Sequence, residues 1–177
     1  MNKLIILNGT SSSGKTTLAK YLQKLLPEPY CNLCMDVFMD MGAKKFPFDT
    51  VVPPIIASMM QSIPVFLKNN NNVIVDCVLF FPLKQIQEIK DALKFHGIEE
   101  QVLIFLIKVF ASKDALTERE IQRDDRQVGI AIGQIEVLHK DVKYDMEIDT
   151  TSISPLENAK KIAQFINTII LKDPKHT

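Results

Sequence analysis

Gly9-Thr10-Ser11-Ser12-Ser13-Gly14-Lys15-Thr16 lies between an apolar run, Leu4-Ile5-Ile6-Leu7, and the start of a helical pattern. Its two glycines let the backbone curl so that successive N–H groups face a common centre, and the helix starting near Gly14 adds its positive dipole end. A Gly-x-x-x-x-Gly-Lys-Thr octapeptide with a strand before it and a helix after it reads as a phosphate-binding loop. Gly9, Thr10, Ser11, Ser12, Ser13, Gly14, Lys15, Thr16 and Thr17 are therefore the candidate nucleotide contacts. Lys15 is expected to reach the β- and γ-phosphates. Thr16 is a candidate Mg²⁺ ligand, because a hard cation takes oxygen donors and a triphosphate supplies the others.

Outward from the loop, apolar residues alternate between helical and strand patterns. Leu18, Tyr21, Leu22, Leu25 and Leu26 repeat at helical spacing and stop at Pro27. A strand is expected at about 31–35, and an apolar helix over 50–68 whose end is confused by Pro64. Asn69 to Asn72 mark a turn before Val73-Ile74-Val75-Asp76, a continuous apolar run suited to a strand buried on both faces. Leu83, Ile86, Ile89 and Leu93 line one face of a helix closed by Gly97, and 101–109 supply another strand. Residues 112–140 read as helical but polar, and Met146-Glu147-Ile148-Asp149 as a last strand. Ser154-Pro155-Leu156-Glu157 joins an N-cap serine, a first-turn proline and a capping-box glutamate, announcing a final helix that buries Ile162, Phe165, Ile166 and Ile169. This order predicts a five-stranded parallel sheet with helices on both faces, its ligand crevice at the carboxyl ends of the strands. No repeat or linker divides the chain, which reads as one domain over 1–177 with only Lys172 to Thr177 frayed.

Composition fits that reading. With 177 residues, 46% hydrophobic and 24% charged, the chain holds enough apolar material for a substantial core. A formal net charge of +0 gives no overall attraction to nucleic acid or anionic membrane, so any cationic site is local. Runs such as Val102 to Ile107 are much shorter than a bilayer span, and no signal-peptide pattern precedes the first strand. A cytoplasmic location is expected. Cys31 and Cys34 form a CxxC with no second pair or histidine cluster, so these two and Cys77 read as reduced core thiols.

The chemistry-bearing residues fall at strand ends. Asp36 follows the second strand, where a carboxylate meets a substrate hydroxyl beside the γ-phosphate, and it is the candidate general base. Its alternative role is a helix cap or turn; Asp40 is a second choice for base. Asp76 ends the third strand, where an acidic residue serves Mg²⁺ or its waters. Arg119, Arg123 and Arg126 are spaced to share one helix face. A lid at about 112–140 that closes over a triphosphate gives those like charges a use, since guanidinium groups match phosphate oxygens. The alternative is a solvated face neutralised by Glu118, Glu120, Asp124 and Asp125. Gly129 and Gly133 are candidate hinges, while His139 and Tyr144 read as structural.

With these residues in place, the chain resembles the chloramphenicol phosphotransferase-like P-loop kinases. The likeness rests on Ile5-Ile6-Leu7-Asn8-Gly9, Leu26-Pro27-Glu28-Pro29, Asp36 and Val73-Ile74-Val75-Asp76. It is most specific in Arg119-Glu120, Arg123-Asp124-Asp125-Arg126, Gly129, Ala131, Gln134, Tyr144-Asp145 and Asp149-Thr150. The resemblance implies a three-layer, nucleoside-kinase-like P-loop fold and an ATP- and Mg²⁺-dependent O-phosphotransferase, similar to chloramphenicol 3-O-phosphotransferase. It also implies that Asp36 is the base, that Arg123 and Arg126 are lid arginines, and that adenine lies near the loop after Asp149. Asp76-Cys77 departs from an Asp-Asp pair common in the family. The stretch between Asp36 and Asp76 is apolar, with Phe38, Met39, Met41, Phe46, Phe48, Ile55, Ile56, Met59 and Met60 as candidates for acceptor pocket or core.

The expected partner is a small-molecule hydroxyl acceptor, with a homo-oligomer among the assemblies open to the chain. Other readings are a nucleoside or nucleic-acid 5′-hydroxyl kinase, and a nucleotide-dependent switch in which hydrolysis is incidental. The lack of a basic, aromatic stripe outside the lid speaks against a polynucleotide track. Asp36 separates kinase from switch, because a switch needs no base facing an acceptor.

Overall fold

Strand β1 (Asn2–Asn8) sends Leu4 and Ile6 to one side of the sheet and Ile5 and Leu7 to the other, the period-two alternation of a strand covered on both faces. The computed structural model describes residues 1–43, 45–123 and 127–172, with the side chains of Phe48 and Lys172 excepted. β1 pairs in parallel with β3 (Asn72–Cys77) and with β4 (Val102–Phe110). β2 (Tyr30–Cys34) and β5 (Met146–Asp149) complete a five-stranded sheet of order β2-β3-β1-β4-β5.

Helices α1 (Lys15–Leu25) and α7 (Pro155–Lys172) cover one face, where Leu18, Leu22, Ile162 and Ile166 meet Ile5, Leu7 and Ile107. On the other face, α3 (Phe48–Lys68) and α4 (Pro82–Phe95) bring Met59, Ile63, Leu67, Ile89 and Leu93 against Leu4, Ile6 and Val75. Each large side chain so buried stabilises the fold by about 1.5–3 kcal/mol. The chain passes from the β2–β3 side of β1 to its β4–β5 side after α4, and the crevice at that reversal lies at the carboxyl ends of the strands.

Several local expectations change. Pro64 does not end α3, which runs to Lys68. Proline removes one hydrogen bond, and the buried Met59, Met60, Ile63 and Leu67 hold the helix across it. By length and composition Asp49–Lys68 could also cross a membrane; here that segment packs on the sheet. Leu83 and Ile169 are exposed, because α4 turns Gln85 and Pro82 inward and α7 turns Ile166 and Ile170 to the core; Cys31 is only half-buried. The stretch 112–140, read as helical but polar, holds two helices among the described residues, α5 (Lys113–Ile121) and α6 (Ile130–Leu138). Between β2 and α3 a short helix, α2 (Met35–Asp40), was not anticipated.

β1 and β4 approach so closely at the site that only glycine fits where β1 passes into the loop. A Cβ on Gly9 would stand 2.1 Å from the Val109 carbonyl oxygen and 2.7 Å from Ser13 Oγ. The first obstacle is backbone inside the sheet, which cannot turn aside as a side chain can. Gly9→Ala is therefore expected to cost about 1–3 kcal/mol of stability, in the range of overpacked interiors. Urea denaturation checks this, and wild-type stability in the variant would show that the contact is not kept in solution.

Candidate active site

The phosphate loop is held in a shape its own chain does not favour. Gly14 has φ 92° and Ser12 φ 58°, both in the left-handed region. Turning N–H groups inward leaves carbonyls facing outward, and other elements satisfy them. Lys15 Nζ donates to Thr10 O at 2.7 Å, Arg119 Nη1 to Ser12 O at 3.2 Å, and Thr150 Oγ1 to Ser13 O at 2.8 Å. The hydroxyls of Thr10, Ser12 and Ser13 are buried without a partner among the described residues. Unpaired buried hydroxyls are costly, and together with the loop's amides they fit the oxygens of a phosphate chain.

Asp76, at the end of β3, stands beside β1 opposite Leu7 and accepts from the Thr16 hydroxyl at 2.6 Å. Among the described residues no three His, Cys, Asp or Glu side chains gather as a metal cage. A divalent ion at this pair would thus take most of its ligands from phosphate and water, as Mg²⁺ does at nucleotide sites. Lys15 is 8% exposed, and burial holds its ammonium pKa below the usual 10.5, opposed by the negative charges of Asp76 and Asp36. Cys77 fills the position after Asp76; burial pushes its thiol pKa up, as it does for Cys34. Neither thiol replaces the missing carboxylate in charge.

Asp36 sits in the first turn of α2, so the helix rather than the strand end carries it. It lines a cavity of about 750 Å³ together with Ser11, Lys15, Thr16, Asp76, Arg119, Arg123 and Thr150. Met35, Met39, Val78 and Phe80 form the apolar wall next to Asp36. Of the other apolar candidates, Met59 and Met60 are core, Phe38, Ile55 and Ile56 are half-buried, and Met41 and Phe46 are exposed. Asp40 does not line the cavity.

Arg119 and Arg123 do not share a helix face. α5 stops at Ile121, before Arg123, and Arg126 lies outside the described residues, as do Asp124 and Asp125. Arg119 is held by Thr150 O at 2.6 Å and Thr150 Oγ1 at 3.1 Å as well as by Ser12 O, tying α5 to the loop. Glu120 is no solvated neutraliser either. It is wholly buried and accepts from Gly129 N and Ala131 N, both at 2.8 Å, pinning the start of α6. Gly129, with φ 100°, caps α6, while Gly133 lies within it. The far end of α6 is fixed too. Tyr144 Oη receives Asn8 Nδ2 at 2.7 Å, donates to Leu138 O at 3.3 Å and stands 2.8 Å from His139 Nδ1. Burial lowers the His139 pKa to about 4. The fixed roles of Thr150 and Glu120 were not legible from spacing, because each depends on which backbone groups the fold brings alongside.

A parallel sheet with this loop, an acidic residue on the loop threonine and a cavity shared with Asp36 defines a kinase-type P-loop phosphotransferase. The chain belongs to the chloramphenicol phosphotransferase-like family, whose model, described as "Chloramphenicol phosphotransferase-like protein", matches residues 2–167. A candidate O-phosphotransferase of Mycobacterium tuberculosis, Rv2636, is 30% identical over 90% of this chain and 80% of its own. Among solved structures, the Deinococcus radiodurans tunicamycin resistance protein superposes with a TM-score of 0.67 at 19% identity, covering 94% of this chain and 96% of that one. The Mycobacterium tuberculosis APS kinase CysC, in complex with AMPPNP and APS, superposes at 0.66 and 13% identity, covering 94% and 98%. These two likenesses show the fold.

The burial of Lys15 has a measurable consequence. A phosphate anion beside the ammonium raises its pKa back toward 10.5, so bound protein holds more protons than free protein between the two values. Above the titration range of the phosphates themselves, nucleotide binding is expected to take up protons, increasingly as pH rises toward the ordinary lysine value. Calorimetry in buffers of different ionisation enthalpy measures the uptake, and Lys15→Met should abolish it; uptake persisting in that variant assigns the proton elsewhere.

Proposed function

We propose that this enzyme transfers the γ-phosphoryl group of ATP, with Mg²⁺, to a hydroxyl of a small-molecule acceptor with an apolar body. The observation that carries the reading is that one cavity joins the phosphate loop, the Thr16–Asp76 pair and Asp36. The loop amides and the unpaired hydroxyls of Thr10, Ser12 and Ser13 bind the phosphate chain, and Lys15 leaves Thr10 O for a phosphate oxygen. Thr16 and Asp76 would hold Mg²⁺ directly or through its waters, and the ion would supply charge neutralisation for the phosphate chain. Thr150 to Pro155 and Arg119 line the end of the cavity left for the nucleoside.

Asp36 accepts the acceptor's O–H proton as the new O–P bond forms and the bond from phosphorus to the bridging oxygen of ADP breaks. Arg123 lines the cavity and, with Arg126, supplies positive charge to the transferring group. Exclusion of water by the apolar wall favours the acceptor over hydrolysis.

The acceptor's character follows from the wall it would meet. Met35, Met39, Val78 and Phe80 give the cavity an apolar wall, which suits an acceptor with an apolar body. The three reduced cysteines and the demand for ATP both fit the cytosol.

The test is phosphoryl transfer from γ-labelled ATP with Mg²⁺ to small hydroxyl compounds with apolar bodies, chloramphenicol among them, and to wholly polar ones. Transfer to an acceptor with an apolar body is expected, falling about 10²–10⁴-fold in Asp36→Asn, the usual range for a lost general base, with nucleotide binding kept. Transfer confined to wholly polar acceptors overturns the acceptor class, and undiminished transfer in Asp36→Asn overturns the base. Binding of ATP without transfer to any acceptor replaces the kinase by a nucleotide-dependent switch.

A further inference from the structure

Gln134 is the point where α6 touches the phosphate loop. Its Oε1 accepts from Ser11 N at 2.8 Å, and the residue lines the same cavity as Lys15, Asp76 and Arg123. The orientation of this carboxamide is fixed by chemistry: a backbone N–H can only donate, so oxygen faces Ser11 and the amino group faces away. Among the described residues that Nε2 has no acceptor. The side chain is also hard to displace, because Glu120 pins the start of α6 and Tyr144 with Asn8 pins its end.

Two unused N–H donors are thus held at the outer lip of the loop. The amides at the helix N-terminus cradle the inner part of a phosphate chain, and the part that extends past them toward Asp36 and Asp76 is the terminal phosphoryl group. We propose that Gln134 is a catalytic residue that donates its Nε2–H to an oxygen of the transferring γ-phosphoryl group, with Ser11 N–H orienting it from behind. This inference rests on the kinase reading above. It adds a neutral donor to the charged ones: a carboxamide stabilises the terminal phosphate without repelling Lys15 or the arginines that share the cavity.

The competing role is a strut that only steadies Ser11, and the two differ in which phosphates they affect. A strut supports the whole loop, so its loss weakens nucleoside di- and triphosphate alike. A donor to the terminal group affects only the triphosphate. The experiment measures dissociation constants of ADP and of AMPPNP, each with Mg²⁺, for wild type, Gln134→Met and Gln134→Glu, with thermal denaturation to confirm folding. Gln134→Met keeps the length and neutrality of the side chain and removes both polar ends. It is expected to weaken AMPPNP about 10- to 100-fold, the value of one hydrogen bond to a charged group, while ADP changes less than about twofold. Gln134→Glu still accepts from Ser11 N but turns an acceptor toward the phosphate, and the AMPPNP loss should be at least as large. Equal weakening of both nucleotides in Gln134→Met, or wild-type AMPPNP affinity in either folded variant, overturns the proposal. Wild-type protein that binds neither nucleotide overturns the kinase reading instead, so the two failures are distinct.

Discussion

A loop that points its N–H groups at an anion must point its carbonyls somewhere else, and much of the site answers that demand. Thr10 O, Ser12 O and Ser13 O cannot all be satisfied within so tight a turn. Their donors come from α1 through Lys15, from α5 through Arg119 and from the residue after β5 through Thr150. Thr150 is itself held by Phe110 O at the end of β4 and by the Arg119 guanidinium. The loop therefore assembles only when β1, β4, β5 and α5 are all in place, which is why an anion site formed by local backbone depends on contacts more than a hundred residues away in sequence. Ser12, a non-glycine residue at φ 58°, is held there by these distant donors together with the loop's own Ser13 N to Thr10 O bond.

The same geometry sets the electrostatics. Lys15 is buried where desolvation disfavours its charge, and the negative groups near it, Asp76 and Asp36, oppose that effect only in part. Removing the lysine's charge is not the cheaper course in a site built for anions, because an incoming phosphate restores the balance. Asp76 accepts from the Thr16 hydroxyl and lies between the Lys15 ammonium and the buried Cys34 thiol. A desolvated lysine and unpaired buried hydroxyls thus face one cavity, and an anionic phosphate chain would satisfy both.

What was legible in the sequence is what local pattern controls. The loop, the five strands and the final helix follow from apolar periodicity and cap chemistry, and β5 falls on Met146–Asp149 as read. The region after β4 was misread because helical propensity persists through residues 112–140 while the helix does not. What breaks it is a buried carboxylate, Glu120, that takes the amides of Gly129 and Ala131 and starts a second helix. Arg119 was grouped with Arg123 by spacing on a helix that ends between them. Its partners are backbone carbonyls brought there by β1 and β5, and backbone acceptors leave no mark in side-chain identity. Met35–Asp40 escaped notice for a related reason: six residues are too short to show a helical period.

The acceptor end obeys none of these constraints. Met35, Met39, Val78 and Phe80 lie on α2 and the segment after β3, and none of them supplies a partner to the loop carbonyls. Met35 packs in the same core cluster as Met59 and Leu79, joined at its edge by Met39, Val78 and Phe80, so its requirements are those of volume and apolarity. Substitutions there can reshape the pocket while the carbonyl network that holds the phosphate loop stays whole. Asp36 is the carboxylate in that wall, and the packing of the core does not call for it. A family can thus keep one phosphoryl donor site and vary its acceptors, and membership fixes the reaction more firmly than the compound it modifies.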